Sequence, residues 1–346
     1  MTPSESLSTQ CPDNPCHTLQ HYVEHGNYYF QLASDCTFQF LPGNHILSAD
    51  EIVFIRYVTN FALSGSGNTS VIECLGATGF CFLNTINVTV ANLTFMFCGG
   101  MSPYLSPATL TFGGWAFDVK ILEITVINGT GYGLLGIDIV GNSSIAGSLF
   151  ISNGIDRNLT DITGKGGGNV RLVFLQNCHN PESSYTIDIQ SSVFINGYGG
   201  IYGAGLEILP QQSCYHLRIN IRRIKCFYNT GKLGGNIGIL VKNGTVYNNV
   251  TIEESIIAYG ASQFYGGGIS FVTNSDFFGY PFSCSDVNQA EVRTTLYLRN
   301  TRILSNVAIR SGGGVAIAMA HSCYNTHVHI SNVTLSKNVA LYGSNV

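Results

Sequence analysis

The stretch YGGGISFV, Tyr265 to Val272, sets three glycines before a short β-branched and aromatic run. It returns as SGGGVAIAM at Ser311 to Met319 and more loosely as LGGNIGILV at Leu233 to Val241. A phosphate-binding loop would need a helix and a Lys-Ser/Thr after its glycines, whereas an alternating apolar run follows here each time. The glycines suit a chain that turns sharply from one strand into the next: they reach φ > 0, and they let one backbone lie close upon another. Leu206, Ile237, Ile269 and Val315 hold one phase of this strand.

A second strand repeats in step with it, in IDIQSSVFING, INIRRIKCFYN, VTIEESIIAYG, LYLRNTRILSN and VHISNVTLSKN. Its anchoring apolar residue falls at Val58, Val90, Val119, Ile145, Ile189, Ile221, Ile252, Leu298 and Ile330, with a further apolar residue five places on, from Leu63 through Ile124 and Cys226 to Leu335. Spacing of two with β-branched residues marks strands, and recurrence every few tens of residues marks a solenoid. Stacked in register, such units form parallel sheets about 4.8 Å from coil to coil around one continuous core. Asn153, Asn229, Asn306 and Asn338 recur eight residues after the anchor, where stacked amides can bond one another.

On these residues the chain resembles the right-handed parallel β-helix proteins of the pectin-lyase-like superfamily, over roughly residues 36 to 346. FQFLPGNHIL, Phe38 to Leu47, looks like the opening coil of that superfamily. Together with NLTF and the GGGI corners, it most resembles uncharacterised glycosylated β-helix proteins of sponges and other invertebrates. The resemblance implies an all-β, right-handed parallel β-helix. Residues 1–35 form a separate N-terminal segment, in which NPCHTLQHYVEHG reads as a capping helix opened by Asn14 and Pro15 and closed by Gly26. The last repeat breaks off at NVALYGSNV, so further coils are expected beyond it.

Only 10 % of residues are charged, against roughly 25 % in soluble domains, and a net charge of -4 leaves no overall basic footprint for nucleic acid. No apolar run reaches the roughly 20 residues of a membrane span, and the opening residues lack a signal-peptide core. Sequons at Asn68, Asn87, Asn92, Asn128, Asn142, Asn158, Asn243, Asn249 and Asn332 predict a glycan coat and an extracellular or cell-surface location. Five of them (Asn87, Asn142 and Asn249 before an anchor, Asn92 and Asn332 after one) should edge a single sheet.

Eleven cysteines agree with an oxidising compartment. Cys178 and Cys214 precede the anchors of adjacent coils, as do Cys284 and Cys323, and a coil step of about 4.8 Å fits the Cα separation of a disulfide. Cys178–Cys214 and Cys284–Cys323 are therefore expected. The pairing of Cys11, Cys16, Cys36, Cys74, Cys81 and Cys98 stays open, and Cys226 reads as a buried thiol.

Enzymes of the resembled superfamily act on acidic polysaccharides with calcium-bound carboxylates and an Arg base, or with paired aspartates. The row before the anchor offers Asp118 and Asp188, two coils apart, without a companion aspartate, so no catalytic residue is assigned. Arg223 to Lys225, RIK, resembles a polygalacturonase motif whose partners are missing. His327 and His329 alternate on one strand with no third ligand, so neither a metal nor a cofactor is expected. Arg222, Glu253 and Arg299 stand on successive coils, as a charge ladder or as a ligand face. The reading is a non-catalytic surface or matrix module that binds carbohydrate or extracellular proteins. The alternative is a polysaccharide lyase or glycoside hydrolase.

Overall fold

A computed structural model describes residues 7–9, 35, 37–47, 53–74, 79–99, 107–154, 168–174, 185–199, 202–210, 216–241, 246–273, 293–319 and 326–345. Among them the chain is nearly all strand, in three long stacks. Sheet A runs from Thr37–Phe40 to His327–Ser331, sheet B from Val53–Arg56 to Val315–Met319, and sheet C from Gly43–Leu47 to Thr334–Ser336. The chain visits A, C and B in turn, adding one parallel strand to each per circuit, which makes a parallel β-helix.

The inward row of sheet A is Leu63, Val90, Ile121, Ile145, Ile189, Ile221, Ile252, Leu298 and Ile330. This corrects two expected anchors. Leu63 replaces Val58, because the second circuit carries an extra corner with a 3-10 turn at Gly67–Thr69. Ile121 replaces Val119, because alternation cannot detect a slip of two residues. Sheet C follows suit, with Ile72 and Val126 where Leu63 and Ile124 were expected. The glycine-run strands hold the expected phase from Leu206 through Ile237 and Ile269 to Val315, and Val53, Phe80, Leu110, Leu134 and Val170 extend it upstream. The three inward rows make one core, in which phenyl rings stack coil on coil, Phe82 on Phe112 at 4.6 Å and Phe150 on Phe194 at 5.5 Å.

Where sheet C turns toward sheet B, the amides form a longer ladder than the anchor spacing showed. Asn153 donates to Asn169, Asn169 to Asn229, Asn229 to Asn236, Asn236 to Asn306, Asn306 to Asn338 and Asn338 to Asn345, at 2.7 to 3.2 Å. Each donor amide also reaches a backbone carbonyl, as Asn306 does to Ile257 at 3.1 Å, while its oxygen takes the Gly260 N–H at 2.8 Å. All of these side chains but the terminal Asn345 are buried and none of the buried ones is left unsatisfied, which is the condition for a buried polar network to stabilise rather than to cost.

The left-handed corners are made mostly without glycine. Two residues past the sheet A anchor, Asn92, Glu123, Ser191, Arg223, Glu254, Asn300 and Asn332 all hold φ between 47 and 54°. Glycine is required instead for close approach: a Cβ at Gly267 would strike the Val307 carbonyl oxygen of the next coil. Cys74 and Cys98 form a disulfide between two adjacent coils, with Cα atoms 4.9 Å apart, and Cys81 and Cys226 are buried thiols. The four cysteines of the expected pairs lie outside the described residues, as does the expected capping helix at 14–26. No α-helix occurs among the described residues; Leu7–Thr9 pairs antiparallel with Thr37–Phe40 at the first edge of sheet A.

Candidate ligand face

The outward side chains differ from sheet to sheet. Sheet A is polar. Register brings Asp188, Asn220, Thr251, Tyr297 and His329 into one row and Gln190, Arg222, Glu253, Arg299 and Ser331 into the next. Arg222 Nε meets Glu253 Oε1 at 2.8 Å, and Asn220 donates to Asp188 at 2.8 Å. Arg299 lies instead over the Tyr297 ring, 4.6 Å from its centroid, and Tyr297 stacks on His329 at 5.0 Å and 11°. The three expected ligand-face residues are thus neighbours on one exposed sheet, and the aromatic pair beside them extends the face. Cations gather in these later coils: Arg218, Arg222, Arg223, Lys225, Arg299 and Arg302 are exposed, against the acidic Asp188, Glu253 and Glu254 among the described residues nearby.

Asp118 leaves the row assigned to it. It sits at the preceding corner with φ 55°, where its carboxylate accepts the Asn142 N–H at 2.8 Å, and Lys120 takes the row position. No group of three or more His, Cys, Asp or Glu that could hold a metal occurs among the described residues. Asn87, Asn142 and Asn249 stand on sheet A strands, and Asn92 and Asn332 at the corner between sheets A and C. Asn68 and Asn128 are exposed, while Asn158 and Asn243 lie outside the described residues. Asn87 and Asn332 also donate to the corner amides of the preceding coil, Asn60 and Asn300, each at 2.7 Å.

Sheet B turns apolar residues outward and buries them: Val173, Leu209, Leu240 and Val272 form a second cluster, at 7, 0, 3 and 1 % exposure. On the same face sits a polar group that the anchor pattern did not reveal. Glu207 is fully buried, takes the Tyr132 hydroxyl at 3.2 Å and the Tyr202 N–H at 3.2 Å, and lies 3.7 Å from Arg171 Nε, while Arg171 donates to the Tyr132 hydroxyl at 2.8 Å. Burial pushes the Glu207 carboxyl up, against the pull of Arg171, and burial also raises the Tyr132 hydroxyl. The Tyr202 backbone crosses directly over Gly238, where a Cβ would collide with its carbonyl oxygen. Glu207 therefore pins a covering segment to the sheet. The one sequence signal for it is a carboxylate in a strand that is apolar on both faces.

Sheet C also turns a largely apolar row outward, from Ile46 and the carboxylate Glu73 through Met96, Ile127, Ile151, Ile195 and Phe227 to Ala258, Leu304 and Ser336; Ala258 is buried, Ile46 is exposed and the others are half-buried. No helix among the described residues is long and apolar enough to cross a membrane.

No protein-family model and no curated protein matches the chain. Among solved structures it is similar to ORF18 of Geobacillus virus E2, at 10 % identity and a TM-score of 0.33, over 93 % of this chain and 56 % of that one. The chain thus spans little more than half the length of that protein.

Proposed function

We propose that the chain is a non-catalytic recognition or adhesion module of an extracellular surface or matrix glycoprotein, and that carbohydrate is the ligand class of its sheet A face. One observation carries this reading: Arg222, Glu253 and Arg299 stand in register beside the stacked Tyr297 and His329, on strands that the core and the amide ladder hold rigid. Planar charged groups next to aromatic surface suit the mixed polar and apolar faces of sugars, and a rigid scaffold spares the entropy of ordering them. The sequons and the Cys74–Cys98 disulfide support an extracellular setting, and the kinship proposed is with the pectin-lyase-like β-helix proteins, nearest those of sponges and other invertebrates.

The test is a binding screen of the secreted protein against neutral and uronate-containing glycans, with turnover followed in parallel with and without calcium. Binding without turnover that is lost in Arg299→Ala and in Tyr297→Ala is the expected result. Turnover of any glycan would establish the lyase or hydrolase reading instead. Absence of binding to every class would overturn carbohydrate as the ligand.

A further inference from the structure

We propose that the outer face of sheet C is a self-complementary interface, and that the partner it fits is a second copy of this chain laid against it end for end. The outward apolar row of sheet B is buried, whereas the equivalent row of sheet C is only half-buried over most of the length of the solenoid and closes at Ala258 alone. The ten strands of sheet C span nine steps of about 4.8 Å, or about 43 Å. A strand with its flanking corners is about 16 Å wide, which gives about 700 Å². A stable interface takes about 800 Å² from each partner, so this face is of the size one needs. Sequons Asn68, Asn92 and Asn332 stand on its rim toward sheet A and Asn128 on its rim toward sheet B, and none stands on the central row.

The charges select the occupant. Counting strands along sheet C, Leu149–Ile151 and Val193–Ile195 are the fifth and sixth of ten, so the centre lies between them. Glu123 precedes the fourth strand and Arg223 the seventh, at the same corner position and both exposed, equally far from that centre. A two-fold axis along the strand direction through the centre reverses the solenoid and keeps each row opposite itself. It therefore sets Glu123 of one copy against Arg223 of the other, with Lys225 beside it, and does so twice. The same operation sets Phe97, which follows the third strand and is 42 % exposed, against Tyr259, which follows the eighth and is 50 % exposed. At the centre, Leu149 and Ile151 of one copy meet Val193 and Ile195 of the other. One surface that supplies acid to its own base and ring to its own ring is the signature of an isologous contact.

The test is the mass in solution of the protein as secreted from eukaryotic cells with its glycans, followed over concentration by sedimentation or light scattering. The expected species is two chains, each of 37.3 kDa polypeptide. Glu123→Arg and Arg223→Glu should each weaken the dimer about tenfold or more, and the two together should restore it. Glu123 and Arg223 both hold φ 52° at the same corner, so the fold accepts either side chain at either place. A monomer at every concentration would overturn the proposal. So would a dimer indifferent to the single reversals, a double reversal that fails to restore it, or association that appears only once the glycans are removed.

Discussion

Sheets B and C are built alike and treated differently. Both stack a glycine-rich or short strand on every coil, and both turn aliphatic side chains outward as well as inward. On sheet B the outward row is sealed. Leu209 is 0 % exposed, the backbone at Tyr202 crosses Gly238, and the buried Glu207 anchors that crossing through three partners, Tyr202, Tyr132 and Arg171. On sheet C the outward row stays half open, and its rim carries the exposed, stacked Tyr228 and Tyr259, 4.9 Å apart. Burying an apolar side chain contributes roughly 1.5–3 kcal/mol, so leaving most of this row half-buried forgoes part of a stabilisation that the same fold collects in full on its other face. Sheet B is thus a structural wall and sheet C a surface.

The largest effect should come from the anchor of the wall. Glu207→Ala leaves the Arg171 guanidinium and the Tyr132 hydroxyl buried without their acceptor, and about 3–5 kcal/mol should be lost in denaturant titration. Next, Leu209→Ala on sheet B should cost about 2–5 kcal/mol, whereas Ile195→Ala on sheet C should cost less than about 1 kcal/mol in the isolated chain. Equal losses would break the distinction between the faces.

Acidity offers a third measure. Because burial raises the Glu207 carboxyl, the folded state holds that proton more tightly than the unfolded chain. The stability it contributes is complete below the ordinary glutamate value and is lost as pH rises through the raised one. Glu207→Gln should remove that part of the pH slope, and identical slopes in the two proteins would contradict the sealed environment. The Cys81 thiol, also on the outer side of sheet B and pushed up to about 12 by burial, should ignore thiol reagents at neutral pH until the protein unfolds. The smallest effect belongs to sheet A: Glu253→Gln should change stability by about 0.2–1 kcal/mol, since Arg222 is half in water.

The sequence carried the solenoid in its glycine-run phase and in most of the anchors, because rows that face one core must stay apolar. It misplaced Val119 because Phe117, Val119 and Ile121 satisfy alternation in either of two registers, and it misplaced Val58 because a corner of unusual length broke the five-residue spacing in the second circuit. Four of the seven ladder amides were visible. Asn169, Asn236 and Asn345 were not, since they lie on the far side of the corner, at a place that Gly205, Gly268 and Gly314 take on the other coils. The charge ladder of Arg222, Glu253 and Arg299 was legible from spacing alone, whereas Tyr297 on His329 needed the ring orientations. The character of the outer faces was least legible, because an apolar residue reads the same whether another segment covers it or not.

The contrast between the two faces is tested most directly by covalent footprinting of side chains in the folded protein across a dilution series. Leu209 and Leu240 of sheet B should be protected at every concentration, while Ile151 and Ile195 of sheet C should label freely when dilute and become protected as the protein is concentrated. Labelling of the sheet B row in the folded chain, or protection of the sheet C row at every dilution, would contradict the account.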